Sequence, residues 1–312
     1  MPRVIAVVVT YNPDDGFPAR AAEHAAEVER LIIVDNSTVA HAAAILDSLG
    51  SRLSNYELIR NGGNLGLAKA QNIGIRRALE LGAEWVMLLD DDSKITSGMI
   101  AAMFAALASY PEAARVGLLA PRVVDERSGL ESKVIVSRGA FDIRRVRFGN
   151  SPWIDTALTA IASGSLIRSE ALAACGMMRE AYFIDGIDIE YCLRLRRHGW
   201  RLLMAREACL RHRLGAKTTH RVAGVAFVAS NHSVLRRYTI MRNRVDIWKR
   251  YARQFPAYVG YDALVSVFET VKILLFEAQR FEKIQAAFLG FCDGLRGAFP
   301  PLVEALGRSK GR

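Results

Sequence analysis

Val86-Met87-Leu88-Leu89-Asp90-Asp91-Asp92-Ser93 decides how the rest of the chain is read. An apolar run that meets three adjacent carboxylates marks the end of a buried strand, where the chain leaves the core. Three neighbouring carboxylates repel one another, so they are tolerable only in solvent or beside a cation. Along an extended chain, residues two apart point the same way. Asp90 and Asp92 can therefore grip one hard divalent ion, Mg²⁺ or Mn²⁺, through oxygen.

Around this segment, strand and helix signals alternate over the first 120 residues. Val4–Thr10 is a β-branched apolar run, as expected of a buried parallel strand. A helix over 19–30 leads to a second strand, Arg30–Asp35. A helix over 39–49 then leads to a third strand, Tyr56–Arg60. A helix over 67–81, closed by Gly82, leads into the strand that carries the acids. This order predicts an α/β fold with an open, Rossmann-like, doubly wound and mostly parallel sheet. Ligands on such sheets lie at the carboxyl ends of the strands. Thr10, Asp35, Asn61 and Asp90 stand at four of those ends. Thr10-Tyr11-Asn12-Pro13 closes the first strand with polar residues and a turn. The Asp35 carboxylate can accept from a base imide or a ribose hydroxyl. Asn61-Gly62-Gly63-Asn64-Leu65-Gly66 opens a helix that bears Lys69, and a helix N-terminus with a lysine suits phosphate. Neither a G-x-G-x-x-G after the first strand nor a Walker A loop is present, which argues against dehydrogenases and P-loop enzymes. A nucleotidylyltransferase would need a Gly-rich loop with Arg and Lys after the first strand, where Tyr11-Asn12-Pro13-Asp14 stands instead.

Beyond Arg122 the pattern weakens. Ile135–Ile143 reads as strand and turn, and 157–167 as a strand-like run containing Ser163-Gly164-Ser165. Ile187–His198 reads as a helix, and Trp200–Met204 as a short strand. Three helices follow, over 234–251, 258–279 and 282–295. Asp185 and Asp188, three apart, are expected to share a helix face. Asp188 and Glu190 lie about 200° apart around a helix and cannot both face one cleft. One of them is then a base for a hydroxyl proton, and the other pairs outward, as Glu190 can with Arg194. His212 follows the short strand, flanked by Arg211 and Arg213, whose charges keep an imidazole neutral but disfavour a cation.

Composition narrows the class. The 312 residues are 51% hydrophobic and 24% charged, which excludes disordered and fibrous chains. Four cysteines without a C-x-x-C pair predict free thiols in a reducing compartment. The short apolar run at the N-terminus meets acids at once and reads as a strand rather than a signal peptide. The net charge is +10, and residues 194–253 hold 16 Lys and Arg against two acids. That stretch expects an anionic partner: a phosphate-bearing substrate, a membrane surface or a nucleic acid. With neither zinc-finger spacing nor an aromatic-basic strand motif, no nucleic acid is expected. Tyr258–Phe276 is interrupted by Asp262, Glu269 and Lys272, each costing roughly 2.5–3.5 kcal/mol at a bilayer centre, so no span is expected. Its broad apolar face (Leu264, Val267, Phe268, Val271, Leu274 and Leu275) would pack on the protein or lie on lipid.

Taken in order, Val7-Val8-Val9-Thr10-Tyr11-Asn12, Ile33-Val34-Asp35-Asn36-Ser37, Asn61-Gly62-Gly63-Asn64-Leu65-Gly66-Leu67-Ala68 with Asn72-Ile73-Gly74, and Leu89-Asp90-Asp91-Asp92 resemble the motifs of glycosyltransferase family 2, over roughly residues 4–215. The resemblance implies the GT-A fold, a nucleotide-sugar donor and a divalent metal. It implies that Thr10 and Asp35 hold the nucleobase, with Tyr11 and Asn12 beside them. Asn64 and Lys69 would lie near the ribose or diphosphate, and Asp90, Asp91 and Asp92 would form the D-x-D site. Asp188-Ile189-Glu190-Tyr191 with Leu193-Arg194 is similar to the rhamnosyltransferase and galactofuranosyltransferase branch, in which the first acid is the base; this favours Asp188. His212 matches a histidine that completes the metal shell in similar enzymes. Ser163-Gly164-Ser165-Leu166-Ile167-Arg168 resembles the family's acceptor strand. Arg237-Tyr238-Thr239-Ile240-Met241-Arg242-Asn243 resembles the Y-Y-x-x-R-N element of bacterial rhamnosyltransferases, with Thr239 for the second tyrosine. Asp185, Glu190 and Arg242 would have acceptor or supporting roles.

The expectation is thus an inverting transferase. Residues 1–120 would form the nucleotide-sugar half, 121–230 the acceptor and base half of the same domain, and 231–312 a helical C-terminal extension. The donor is expected to be dTDP-β-L-rhamnose, with UDP-galactofuranose or a UDP-hexose as alternatives. The acceptor would be a glycan or lipid-linked glycan of cell-surface polysaccharide, met at the cytoplasmic face of the membrane with peripheral contact to anionic lipid.

Overall fold

The computed structural model describes residues 1–139, 141–212, 218–222, 225–302, 304, 305 and 307. The first strands and helices lie where the alternation places them. They are β1 (Val4–Thr10), α1 (Phe17–Glu27), β2 (Arg30–Asp35), α2 (Ala40–Asp47), β3 (Tyr56–Arg60), α3 (Leu67–Glu80) and β4 (Trp85–Asp90). There follow β5 (Lys94–Ile95), α4 (Met99–Ser109), β6 (Val116–Asp125), β7 (Val134–Gly139), β8 (Asp142–Val146), β9 (Trp153–Ile154), β10 (Leu166–Arg168), α5 (Ser169–Cys175), α6 (Ile187–Arg197) and β11 (Arg201–His212). The chain continues through β12 (Thr218–Val222), β13 (Val225–Ala229), α7 (Val234–Tyr251), α8 (Pro256–Phe276) and α9 (Arg280–Arg296).

The main sheet runs β3-β2-β1-β4-β10-β6-β11-β5, with β9 paired to β11. The β3-β2-β1-β4 half is parallel throughout, and its inner strands are apolar because helices cover both faces. In the other half, β10 runs antiparallel to both β4 and β6, while β11 is parallel to β6. One face packs Val4, Val8, Leu31, Ile33, Met87 and Leu119 against Phe17 and Ala21 of α1, Leu46 of α2 and Met103 of α4. The strand-like reading of 157–167 is corrected: 166–168 form the strand β10, and the rest of the run offers only an isolated bridge from Ala157 to Val136. Gly164, at φ +79°, turns the chain before β10, and a Cβ there would press on Pro121 and Leu210.

The chain divides into two compact units. One holds residues 1–136, 144–180 and 188–213, and the other holds 137–143, 181–187 and 214–312. The main sheet belongs to the first. In the second, β12 and β13 form an antiparallel pair, and α7 packs along α9. No helix among the described residues is long and apolar enough to cross a membrane.

Candidate active site at the carboxyl ends of the strands

The parallel register puts Thr10 beside Asp35. The buried Thr10 Oγ1 donates to Asp35 Oδ1 at 3.0 Å, and Ser37 N donates to the same oxygen at 2.9 Å. Among the described residues nothing donates to Asp35 Oδ2, which leaves one acceptor at the end of β2. Asn12, at φ +52°, receives Thr38 N on its Oδ1 and donates its own N–H to Ser37 Oγ at 2.9 Å, which ties the β1 turn to the β2 turn. Asn36 bridges to the third strand end, taking Asn61 Nδ2 on Oδ1 at 2.8 Å and donating to Gly66 O. Asn64 accepts from Gly66 N at 2.9 Å, an Asx turn that sets the start of α3. Lys69 is exposed on the first turn of α3, and Tyr11 is 52% exposed.

The acids that follow β4 divide their work. Asp91 turns away: its carboxylate accepts Tyr11 N at 3.1 Å, and its carbonyl accepts Arg20 Nε at 2.7 Å. Asp90 and Asp92 converge with His212 from the end of β11. One ligand atom from each lies within 4.8 Å of the others, and His212 Nδ1 is 3.4 Å from Asp92 Oδ1. Arg213, the second arginine beside that histidine, lies outside the described residues. Burial pushes the Asp90 carboxyl up to about 7, and the charges of Asp92, Asp91 and Asp188 push the same way. Burial also lifts Asp91 to about 6, against the hydrogen bond from Tyr11 N. Two carboxylates and an imidazole brought together in this way fit a divalent ion of the Mg²⁺ or Mn²⁺ kind.

Ser93, Arg20 and His24, which the sequence reading did not single out, also build this rim. Ser93, fully buried, joins Ser163 Oγ at 2.7 Å and His212 Nδ1 at 2.8 Å. Ser163 Oγ also accepts Asp90 N at 3.1 Å, and Gly164 N donates to Leu88 O at 2.7 Å. From α1, Arg20 and His24, one helical turn apart, hold the carbonyls of Asp91 and Ser93. The acceptor role of Ser93 O puts the His24 hydrogen on Nε2. Burial holds this imidazole neutral, at about 4. An Arg and a His four apart in an otherwise Ala-rich helix were the available clue.

Asp188 is half-buried in the first turn of α6, and its charge is felt at Asp90. Glu190 does pair with Arg194 at 2.7 Å, but the pair is turned inward rather than outward, since Glu190 is only 4% exposed. The shared helix face of Asp185 and Asp188 is corrected: α6 starts at Ile187, and Asp185 precedes it at φ +68°. Asp185 lies in the second unit, bound by Arg236 and Thr239. Arg242, also in that unit, is buried and donates to the carbonyls of Ala181 and Tyr182 at 3.2 Å. Asn72 of the Asn-Ile-Gly motif brackets Met178, donating to its carbonyl at 2.8 Å and accepting its N–H at 2.9 Å.

Polar groups from three parallel strands on one rim, beside a carboxylate–imidazole cluster that could hold a cation, are the arrangement of an α/β enzyme whose ligand sits at the strand ends. The chain belongs to the family described as "Glycosyltransferase like family 2", whose model matches residues 2–233, and it is a nucleotide-sugar glycosyltransferase. It is 29% identical over 308 residues to the dTDP-rhamnosyl transferase RfbF of Shigella flexneri, covering 94% of this chain and 96% of that one. It is 28% identical over 218 residues to the galactofuranosyltransferase GlfT1 of Mycobacterium tuberculosis, covering 63% of this chain and 65% of that one. Among solved structures, the mannosyltransferase PcManGT of Pyrobaculum calidifontis, in complex with GDP-Man and Mn²⁺, superposes with TM-score 0.56 at 12% identity, over 99% of this chain and 79% of that one. At that identity the likeness shows the fold, a GT-A glycosyltransferase fold.

Proposed function

We propose that this enzyme is an inverting, metal-dependent rhamnosyltransferase that moves L-rhamnose from dTDP-β-L-rhamnose to a glycan or lipid-linked glycan. The observation that carries the reading is the convergence of Asp90, Asp92 and His212, with the charge of Asp188 felt at the same place. The near full-length similarity to a dTDP-rhamnosyl transferase supports the donor. Similarity over a shorter span to a galactofuranosyltransferase makes UDP-galactofuranose the second choice.

In this reading Asp35 Oδ2 accepts from the nucleobase, and Thr10 fixes that carboxylate. Asn64 and Lys69 hold the ribose and diphosphate at the N-terminus of α3. Asp90, Asp92 and His212 would hold Mg²⁺ or Mn²⁺, which when bound offsets the charge of the departing diphosphate. Ser93 and Ser163 fix the direction of those ligands. Asp188 takes the proton of an acceptor hydroxyl as its oxygen bonds to the anomeric carbon. The bond from that carbon to the diphosphate breaks on the opposite face, and its electron pair leaves with dTDP. Ser163, Gly164 and Glu190 support this arrangement within the first unit, while Asp185 and Arg242 order the segment 181–185 in the second. The acceptor is met at the cytoplasmic side of the membrane, where the basic stretch favours anionic head groups.

The donor is tested by thermal stabilisation and slow hydrolysis with dTDP-rhamnose, UDP-galactofuranose and UDP-glucose, each with Mn²⁺ or with EDTA. Stabilisation and hydrolysis with dTDP-rhamnose and Mn²⁺ alone are expected. Hydrolysis that survives EDTA dialysis would remove the metal, and a preference for UDP-galactofuranose would replace the donor.

A further inference from the structure

Helices α8 and α9 are built inside out. On α8, Leu264 (73% exposed), Val267, Phe268, Val271, Leu274 and Leu275 all face solvent. Their spacing places them on one side of the helix. The buried positions on the other side include Asp262 and Ser266. On α9, Phe281 (72% exposed), Phe288, Phe291 and Leu295 face solvent, while Lys283, Ala286, Ala287, Gly290, Asp293 and Gly294 are buried.

The inward faces bury few large apolar groups, Tyr258 and Ile273 on α8 and part of Leu289 on α9, and are otherwise held by polar contacts and small residues. Asp262 accepts Trp248 Nε1 at 2.7 Å and pairs with Arg244 at 3.0 Å, and Glu269 pairs with the same arginine at 2.8 Å. Glu277 sits between Arg237 and Lys283, and Tyr238 Oη donates to Asp293 at 2.7 Å. Gly290 and Gly294 lie against the backbone of α7, where a Cβ would collide with Tyr238 O and come within 2.6 Å of Arg242 O. Small residues four apart at a helix crossing, with bulky ones turned outward, are the packing of a helix whose solvent is apolar.

Charge selects the kind of apolar surface. Asp262, Glu277 and Asp293 are buried and partnered, Glu269 is half-buried against Arg244, and of the acids of the two helices Glu282 alone is exposed. At the edge of this face the half-buried Lys272 ammonium, which donates to Val228 O at 3.1 Å, lies 5.3 Å from the centre of the Phe268 ring, and the exposed Arg280 guanidinium lies 5.3 Å from that of Phe281. Arg296 is exposed beyond them. Aromatic rings beside cations suit the boundary of acyl chains and phosphate head groups. Neither helix is long and apolar enough to span a bilayer.

We propose that α8 and α9 dock this protein in the plane of an anionic bilayer, their outer phenylalanines and leucines among the acyl chains and Lys272, Arg280 and Arg296 at the phosphates. The docking deepens the lipid-linked acceptor reading but does not depend on it, because vesicle binding is measured without any sugar donor.

The test is flotation of the full chain with vesicles of phosphatidylcholine alone or with a fifth of phosphatidylglycerol, at about 0.1 M salt. The protein is expected to float with the anionic vesicles and to stay behind with pure phosphatidylcholine. The triple variant Leu264→Ser, Phe281→Ser, Phe288→Ser should lose about tenfold or more of that binding, while keeping the far-ultraviolet spectrum and melting temperature of the parent. Arg280→Gln, which removes no apolar surface, should weaken binding and lessen its salt dependence. Failure of the parent to float overturns the proposal. So does a parent that sediments as a dimer, is made monomeric by the triple variant and ignores vesicles; the faces would then belong to a second copy of this chain.

Discussion

Two carboxylates, the half-buried Asp90 at the end of β4 and the buried Glu277 after α8, meet opposite fates. Burial raises both. At Asp90 the neighbouring charges are also acids, and the group stands at about 7. At Glu277 the hydrogen bond from Lys283 and the charge of Arg237 overcome burial and hold the carboxyl below its usual range. Where this protein needs a carboxylate for architecture, it supplies the cation itself. Where it gathers Asp90 with Asp91 and Asp92, the neighbouring acids add to burial instead of opposing it, which is why a metal is proposed there.

The contrast can be broken most directly at Asp188, the acid proposed as the base beside the rim. Asp188→Asn is expected to lower turnover by about 10³-fold and to leave stabilisation by dTDP unchanged. Normal turnover would deny Asp188 its role. At the other pole, Glu277→Gln leaves Arg237 and Lys283 buried with a neutral partner. A loss of about 3–4 kcal/mol is expected from urea unfolding, and a loss under about 1 kcal/mol would mean the cluster is no more than a surface ion pair in energy.

His24 sharpens the comparison through acid. Its pKa is held at about 4 against 6.5 in the unfolded chain. A lowered histidine pKa means the unfolded state binds the proton first, so the His24 contribution is intact above pH 6.5 and falls as pH drops towards 4. The stability difference between the parent and His24→Asn should therefore shift by about 3 kcal/mol across that window. A constant difference would show that the imidazole is not held neutral. The smallest effect is expected at Ser93, where Ser93→Ala should weaken Mn²⁺ binding in calorimetry by about tenfold with little change in melting temperature. An unchanged affinity would mean that Asp90 and His212 need no help in pointing.

Much of this was legible in the chain itself. The β-branched runs of β1 and β2 and the apolar run of β4 announce buried strands, and the acids after β4 stand out as three adjacent carboxylates at the end of one. Other parts were not. The run over 157–167 looks like a strand by composition, yet the turn at Gly164 is spent on holding Leu88 and Asp90. Asp185 looks like part of a helix until its left-handed backbone removes it. Ser93 is one serine among many, and only the approach of Ser163 and His212 from distant segments gives it a role. The apolar stripe of α8 was visible by spacing, but spacing cannot say which side of a helix the protein keeps for itself. That depends on Arg244, Arg237 and Trp248 arriving from α7.

The long strand β11 carries a further consequence. Between Ala205 and Cys209 it slips against β6, so that Arg206, Glu207 and Ala208 are surplus to the pairing, and regular register resumes from Cys209 to His212. Leu210 faces the core, Arg211 faces out, and His212 returns to the sheltered side. The strand thus works as a vernier, in which its first half is set by the core and its last four residues are indexed separately to the rim. Deleting one residue between Cys209 and His212 would carry the imidazole to the outer face and would leave the register of Leu202, Leu203 and Met204 untouched.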